Sequence, residues 1–191
     1  MLNMKTDPIY TIIQFAEQIM LLRDPYENGH EHRVADISTK LAIALDLTPE
    51  LVLNIHIAAR MHDIGKLLVA EVILNKVKIT SSERRMIQSH SDFGAKIIHT
   101  LELDAHIEDI IRHHHENWNG TGYPDKLKGD EISIGARILR IADTFDAMTN
   151  ERPYRKRATK KQTLIEMKSE SGTSFEPHLF DQFEQMMKTI E

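Results

Sequence analysis

Apolar residues recur every three to four positions along most of the chain, the period of helices that bury one face. Behind Asp7-Pro8, a cap residue followed by proline in the first turn, come Ile9, Ile12, Ile13, Ala16, Ile19 and Met20. That helix is expected to end near Arg23-Asp24-Pro25. A turn through Asn28-Gly29 leads to a second helix with the stripe Val34, Ile37, Leu41, Ala44 and Leu45, and His30 and His32 near its start. Thr48-Pro49 repeats the cap-then-proline signature, and Val52, Ile55, Ala59 and His62 follow on one face until Gly65, a natural stop. Glu71–Leu74 reads as a short apolar turn. Thr80-Ser81-Ser82-Glu83 is a capping box that opens a helix through Met86 and Ile87 to His90. Phe93, Ile97, Ile98 and Leu101 continue helical packing, and Ile107, Ile110 and Ile111 mark the helix that delivers His113, His114 and His115. Ile134–Thr149 is strongly apolar apart from Asp143 and Asp146. Thr159-Lys160-Lys161-Gln162 is a second capping box, and Pro177 starts a last helix with Leu179, Phe180 and Phe183. No period-2 stretch, repeat or linker interrupts the series. The expectation is all-α: one helical bundle domain over 1–191, with 1–23 as an N-terminal helix packed on it.

One segment breaks the pattern. Asn117–Ser133 is long and irregular, with Gly120, Gly122, Gly129, Pro124 and the only tryptophan, Trp118. Long loops in compact domains are functional or disordered, and the embedded Trp118 and Tyr123 favour order.

Composition narrows the chemistry. A net charge of −5 argues against a nucleic-acid-binding surface, so DNA is not an expected partner. The absence of cysteine excludes disulfides, thiolate zinc sites and iron–sulfur clusters. No apolar run is long enough to span a bilayer, and Met1–Asp7 lacks the features of a signal peptide, so a cytoplasmic location is expected. Eleven histidines exceed ordinary structural need, and they concentrate between His90 and His115.

The chemistry-bearing residues each have a plainer reading. Neighbours on a helix point about 100° apart, so His62 and Asp63 serve one centre more easily at a helix end, where the carboxylate could bridge two ions. Alternatively, His62 sits at a helix C-terminus because the dipole favours it. His113-His114-His115-Glu116 ends an apolar helix, and a surface tract is the competing account. A lone His90 is more often a packing residue than a ligand. Asp143 and Asp146 share a helix face; buried carboxylates need a metal or a partner such as Lys66 or an arginine. Imidazole and carboxylate without thiolate suit Fe, Mn, Zn, Ni or Co, with Mg also admissible, and a bridging carboxylate points to two divalent ions. The basic run Arg152–Arg157 could bind phosphate through bidentate arginine, or simply be solvated.

Together, Gly29-His30, His62-Asp63-Ile64-Gly65-Lys66, His90, His114-His115-Glu116, Gly120-Thr121-Gly122-Tyr123-Pro124, Ala142-Asp143-Thr144-Phe145-Asp146-Ala147 and Arg152-Pro153-Tyr154-Arg155 resemble the HD-GYP family of the HD phosphohydrolase superfamily, over about 24–183. The resemblance implies an all-helical HD fold and hydrolysis of cyclic di-GMP by a hydroxide bridging the ions. It implies metal ligation by His30, His62, Asp63, His90, His114, His115 and Asp143, with His113 outside the set. It implies that Lys66 lies near the scissile phosphate, with Asp24 and Asp146 as its charge partners, and that Tyr123, Arg152 and Arg155 contact substrate. Some members hold a third metal with a glutamate where this chain has Tyr26, although Glu27 is adjacent; a two-metal site yielding mainly linear pGpG is therefore expected. The alternatives are a phosphohydrolase for another cyclic dinucleotide or nucleotide, and a non-catalytic module that senses the nucleotide or docks a protein partner through the Trp118–Pro124 loop. The oligomeric state stays open, with a homodimer among the options.

Overall fold

The computed structural model describes residues 8–23, 29–74, 76, 78–150 and 157–189. Among these residues ten helices run in order: α1 Pro8–Arg23, α2 His30–Ala44, α3 Pro49–Met61, α4 Glu71–Leu74, α5 Ser81–Gln88, α6 His90–His99, α7 Ala105–His113, α8 Ile134–Thr149, α9 Lys160–Ser169 and α10 Pro177–Thr189. Single 3-10 turns at Ile64–Leu68 and Gly129–Glu131 complete the regular structure. Among the described residues there is no strand, only one isolated bridge between Ser171 and Phe175.

The end signals in the sequence operate as hydrogen bonds. Thr48 Oγ1 caps α3 by accepting from Leu51 N at 3.3 Å. Thr80 and Glu83 form a reciprocal capping box on α5, and Thr159 and Gln162 one on α9. Two boundaries differ from the periodic reading. Glu71–Leu74 is one turn of helix rather than a plain turn. The stretch from Thr80 to Leu101 is two helices broken at Ser89, whose Oγ turns back onto Met86 O at 2.6 Å.

One continuous apolar core joins residues of α1, α2, α3, α6, α7, α8, α9 and α10. α2 and α3 pack along each other, α8 lies against α2, and α7 fills the space beside α3 and α8. At the far end Phe145 meets Phe183 edge to face, ring centroids 5.4 Å apart, and Phe175 stacks on Phe180. α1 packs on α3 and on the 3-10 turn after it. Its buried line is Ile13, Ala16 and Met20, whereas Ile12 of the predicted stripe is exposed, as are Phe15 and Leu22. The α1 side chains also tie the base of the later site. Arg23 donates to the carbonyls of Leu67 and Val69, and Glu17 pairs with the buried guanidinium of Arg60.

Gly65 is not a helix stop. It lies inside the 3-10 turn, and its backbone touches α6: a Cβ there would sit 1.9 Å from His90 O and 2.5 Å from Gly94 N. This close approach draws the end of α3 and the start of α6 together.

Candidate metal centre

Helix ends supply the centre. α3 stops at Met61, His62 is its cap, and Asp63 caps the following 3-10 turn, so the two side chains leave a changing backbone and not one regular helix. His30 opens α2, His90 opens α6, and His114 caps α7. His30, His62, Asp63, His90 and His114 are all buried.

The hydrogen bonds orient the imidazoles. His62 Nδ1 donates to Ala59 O at 2.8 Å, His90 Nδ1 to Ile87 O at 2.7 Å, and His114 Nδ1 to Ile111 O at 2.7 Å. Each acceptor lies three residues back, among the carbonyls that a helix end leaves without an intrahelical partner. His30 Nδ1 donates instead to Asp146 Oδ2 at 2.7 Å. Carbonyls only accept, and burial of Asp146 is outweighed by His30 and Arg33, which hold its carboxyl below the usual range and therefore ionised. All four rings thus carry hydrogen on Nδ1 and turn Nε2 inward, the nitrogen a metal ligand presents.

Those Nε2 atoms converge on one another. His30 Nε2 and His62 Nε2 are buried and make no hydrogen bond. His90 Nε2 and His114 Nε2 stand 3.3 Å apart. Burial, with the neighbouring histidines, pushes His114 down to about 3, and burial lowers His90 as well. Two neutral rings with hydrogen on Nδ1 therefore point lone pairs at each other. Each unsatisfied buried group costs on the order of 1–3 kcal/mol, a cost relieved by a cation between them. The residues present fit metal ions in two trios, His30–His62–Asp63 and His90–His114–His115, with the ligand atoms of each trio within 4.8 Å of one another.

Asp63 stands between the trios. Its Oδ2 is 3.5 Å from His62 Nε2 and 4.0 Å from His30 Nε2, and its Oδ1 is 3.4 Å from His90 Nε2. Burial opposes its charge, but Lys66, then His62 and His90, hold its carboxyl well below the usual range. Asp143 Oδ1 closes the first trio, 3.4 Å from His30 Nε2 and 3.9 Å from His62 Nε2. The two ends differ electrostatically. Burial works against charge on His30, yet Asp143 and Asp146 push it up to about 10. Burial and its histidine neighbours hold His115 well below its ordinary value.

The seven predicted ligands thus lie around one centre. Lys66 Nζ donates to Asp63 Oδ2 at 2.6 Å. Asp146 is a correction: in place of Lys66, it binds the far side of the His30 ring and receives Arg33 Nε at 2.7 Å and Asn150 Nδ2 at 2.8 Å. The reason is the packing of α8 on α2, which sets Asp146 behind His30. His113 points away, as expected, between Asp109 and Asp125 at 2.8 and 2.9 Å. Tyr123 lays its ring 4.8 Å from that of His115. Asp24, Tyr26, Glu27, Arg152 and Arg155 lie outside the described residues.

Three supporting residues were not assigned roles from sequence. Arg33 is three residues after His30, so helical spacing could have paired it with the same carboxylate. Arg140 is three residues before Asp143 and donates to Asn117 Oδ1 at 3.1 Å. Glu116 holds the long loop. Its Oε1 accepts from Asp125 N at 2.7 Å and Lys126 N at 2.9 Å. The loop also bonds back through Tyr123 N to His115 O and through Trp118 N to Ser174 O. Gly122 permits this approach: a Cβ would lie 2.3 Å from Asn117 N.

Comparison with known proteins agrees with this geometry. A family model described as an HD domain matches residues 14–179. A cyclic di-GMP phosphodiesterase of Thermotoga maritima is 32% identical over 190 residues, 96% of this chain and 51% of the relative. A cyclic di-GMP phosphodiesterase of Pseudomonas aeruginosa is 35% identical, over 84% of this chain and 39% of the relative. A 3'3'-cGAMP-specific phosphodiesterase of Vibrio cholerae is also 35% identical, over 88% of this chain and 37% of the relative. The chain therefore spans about half or less of the length of these relatives. Among solved structures, a V. cholerae cyclic GMP-AMP-specific phosphodiesterase shares the fold with TM-score 0.67 at 22% identity, covering 84% of this chain and 44% of that one. The HD domain of an L. monocytogenes phosphodiesterase matches with TM-score 0.61 at 17% identity, covering 90% and 94%. With an HD-domain match over most of its length and the paired His-Asp clusters at the matching motifs, the chain belongs to the HD domain family.

Proposed function

We propose that this chain is a phosphodiesterase unit that hydrolyses a cyclic dinucleotide, cyclic di-GMP in the first place, mainly to linear pGpG. The observation that carries the reading is the convergence of buried histidine Nε2 atoms on both sides of Asp63. Two divalent ions, with iron or manganese preferred for this donor set, would be held by His30, His62, Asp63 and Asp143 on one side and by Asp63, His90, His114 and His115 on the other. When bound, they supply an activated water and neutralise charge on the phosphodiester.

The chain's own residues do the rest. Asp146 and the helix-end carbonyls hold the imidazoles in the ligating tautomer. Lys66, ion-paired to Asp63 and partly exposed, faces the centre with the charge needed to stabilise a phosphorane-like transition state. Tyr123 forms one wall beside His115, where the ring offers a stacking surface for a base. Asp24, Arg152 and Arg155 keep their expected roles as a charge partner of Lys66 and as substrate contacts. The Trp118–Pro124 loop serves here as a substrate wall, since its backbone bonds to Ser174 and His115.

The similar identity to cyclic di-GMP and 3'3'-cGAMP relatives makes cGAMP the second substrate to test. Purified protein loaded with manganese or iron should convert cyclic di-GMP to pGpG, and Asp63→Ala should abolish turnover with the helical signal retained. Turnover of cGAMP alone would move the assignment to that substrate. No turnover of any cyclic dinucleotide, or full activity in Asp63→Ala, would overturn the reading.

A further inference from the structure

Arg140 is a half-buried guanidinium on α8, on the same side as Asp143 and about one turn before it. Four other arginines meet carboxylates: Arg33 meets Asp146, Arg60 meets Glu17, Arg112 meets Asp92 and Asp125, and Arg137 meets Asp130 and Glu176. Among the described residues Arg140 meets neutral oxygens only. Its Nη2 donates to Asn117 Oδ1 at 3.1 Å and its Nη1 to Thr144 Oγ1 at 3.4 Å, while its Nε is buried without a partner. Asn117 is fixed in turn, because its Nδ2 donates to Thr121 Oγ1 at 3.1 Å. The loop and α8 therefore hold a cation in place without neutralising it. A guanidinium has five N–H groups, and two of them are used here.

Its partners say where the charge lies. Asn117 is two residues beyond His115 and Thr144 is next to Asp143, so the guanidinium sits between the start of the loop and the part of α8 that carries Asp143. A partly desolvated cation without an anion is costly, and it is tolerated where a ligand supplies the anion. Arginine matches phosphate oxygens in a planar fork. A cyclic dinucleotide has two phosphodiesters, and the metal centre can engage one at a time.

We propose that Arg140, positioned by Asn117 and Thr144, binds the phosphodiester that is not being cut. This assignment rests on the phosphodiesterase reading above. It makes Arg140 a determinant of selectivity for substrates with a second phosphate, over diesters that have one.

The test uses the metal-loaded full chain and two substrates, cyclic di-GMP and bis(p-nitrophenyl) phosphate, which has a single phosphodiester. Arg140→Gln should raise KM for cyclic di-GMP about 10-fold or more, the range for loss of a hydrogen bond to a charged group, with kcat changed by less than about 3-fold. Its kcat/KM for bis(p-nitrophenyl) phosphate should match the unaltered chain, and Arg140→Lys should recover part of the KM. Asn117→Ala, which frees the guanidinium without removing it, should raise KM for cyclic di-GMP by a smaller factor. Metal content and melting temperature are measured on every variant to confirm an intact site. Equal losses on both substrates, or an unchanged KM in Arg140→Gln, would overturn the assignment while leaving the phosphodiesterase reading in place. If the unaltered chain cleaved bis(p-nitrophenyl) phosphate but no cyclic dinucleotide, the reading itself would fail and take this assignment with it.

Discussion

Replacing Gly65 by alanine isolates the contact that brings α3 and α6 together. The backbone of Gly65 is not in the left-handed region, so alanine can adopt its conformation. Without a clash, Gly→Ala at such a site would stabilise the fold by about 0.4–1 kcal/mol, by restricting the unfolded chain. The contact reverses that sign. The new Cβ would lie 1.9 Å from His90 O, against a floor of 3.0 Å for real contacts, and it would also meet Gly94 N at 2.5 Å. Both are backbone atoms, so α6 must retreat by about 1.1 Å, the shortfall of the 1.9 Å contact from the 3.0 Å floor. Overpacking of this kind costs about 1–3 kcal/mol. For a domain of this length each kcal/mol lowers Tm by about 2–4 °C, so a fall of about 2–12 °C is expected by calorimetry or circular dichroism. The same retreat moves His90 away from Asp63 and His62. Ligand distances tolerate about 0.2 Å, so metal content measured by elemental analysis should drop as well. If Gly65→Ala melted at or above the unaltered temperature and kept its metal, the close approach would not be what sets the centre.

Asp146→Asn removes the anionic acceptor behind His30, and metal affinity measured by competition with a chelator should fall about 10–100-fold, with the helical signal unchanged. Glu116→Ala deprives Asp125 N and Lys126 N of their acceptor; hydrogen exchange at those two amides should accelerate, with about 1–3 kcal/mol lost in urea unfolding. His56 tests pH linkage. Burial, then Arg60 and His32, lower its pKa, against opposing pulls from Glu17 and Asp36. The unfolded chain therefore takes the proton first, near its ordinary value of about 6.5. Stability contributed by the neutral ring is complete above that value and is lost as pH falls below it. The difference in unfolding free energy between the unaltered chain and His56→Gln should shrink from pH 7 to pH 5, and a constant difference would contradict the burial argument.

The helices were legible because their information is local. Each stripe of Ile, Leu and Ala identifies a face, and Thr48, Thr80 and Thr159 bond to backbone three residues away. The ligand set was legible in part, since His62-Asp63 and His114-His115 sit where apolar periods end. The break at Ser89 was not legible, because a serine in a helical run carries no distinctive mark until its hydroxyl finds Met86 O. Nor was the exposure of Phe15 and Leu22 on α1, where apolar residues cover more of the helix than one neighbour can bury.

Charge partners show the limit most clearly. By sequence, Asp146 had Lys66 as a candidate partner; in the fold it takes His30 and Arg33, while Lys66 takes Asp63. Ion pairing depends on distances of a few ångströms between elements far apart in the chain, and spacing along one helix says nothing about them. The sequence by itself determined an all-helical chain, its caps, and a store of imidazoles and carboxylates without thiols. Only the tertiary structure decided that Gly65 lets the α6 backbone touch the end of α3, that Asp63 turns one oxygen to each trio, and that Arg140 is held by Asn117 and Thr144. Helices and caps follow from bonds within a few residues. The centre follows from which helix ends meet, and that is set by the packing of the whole core.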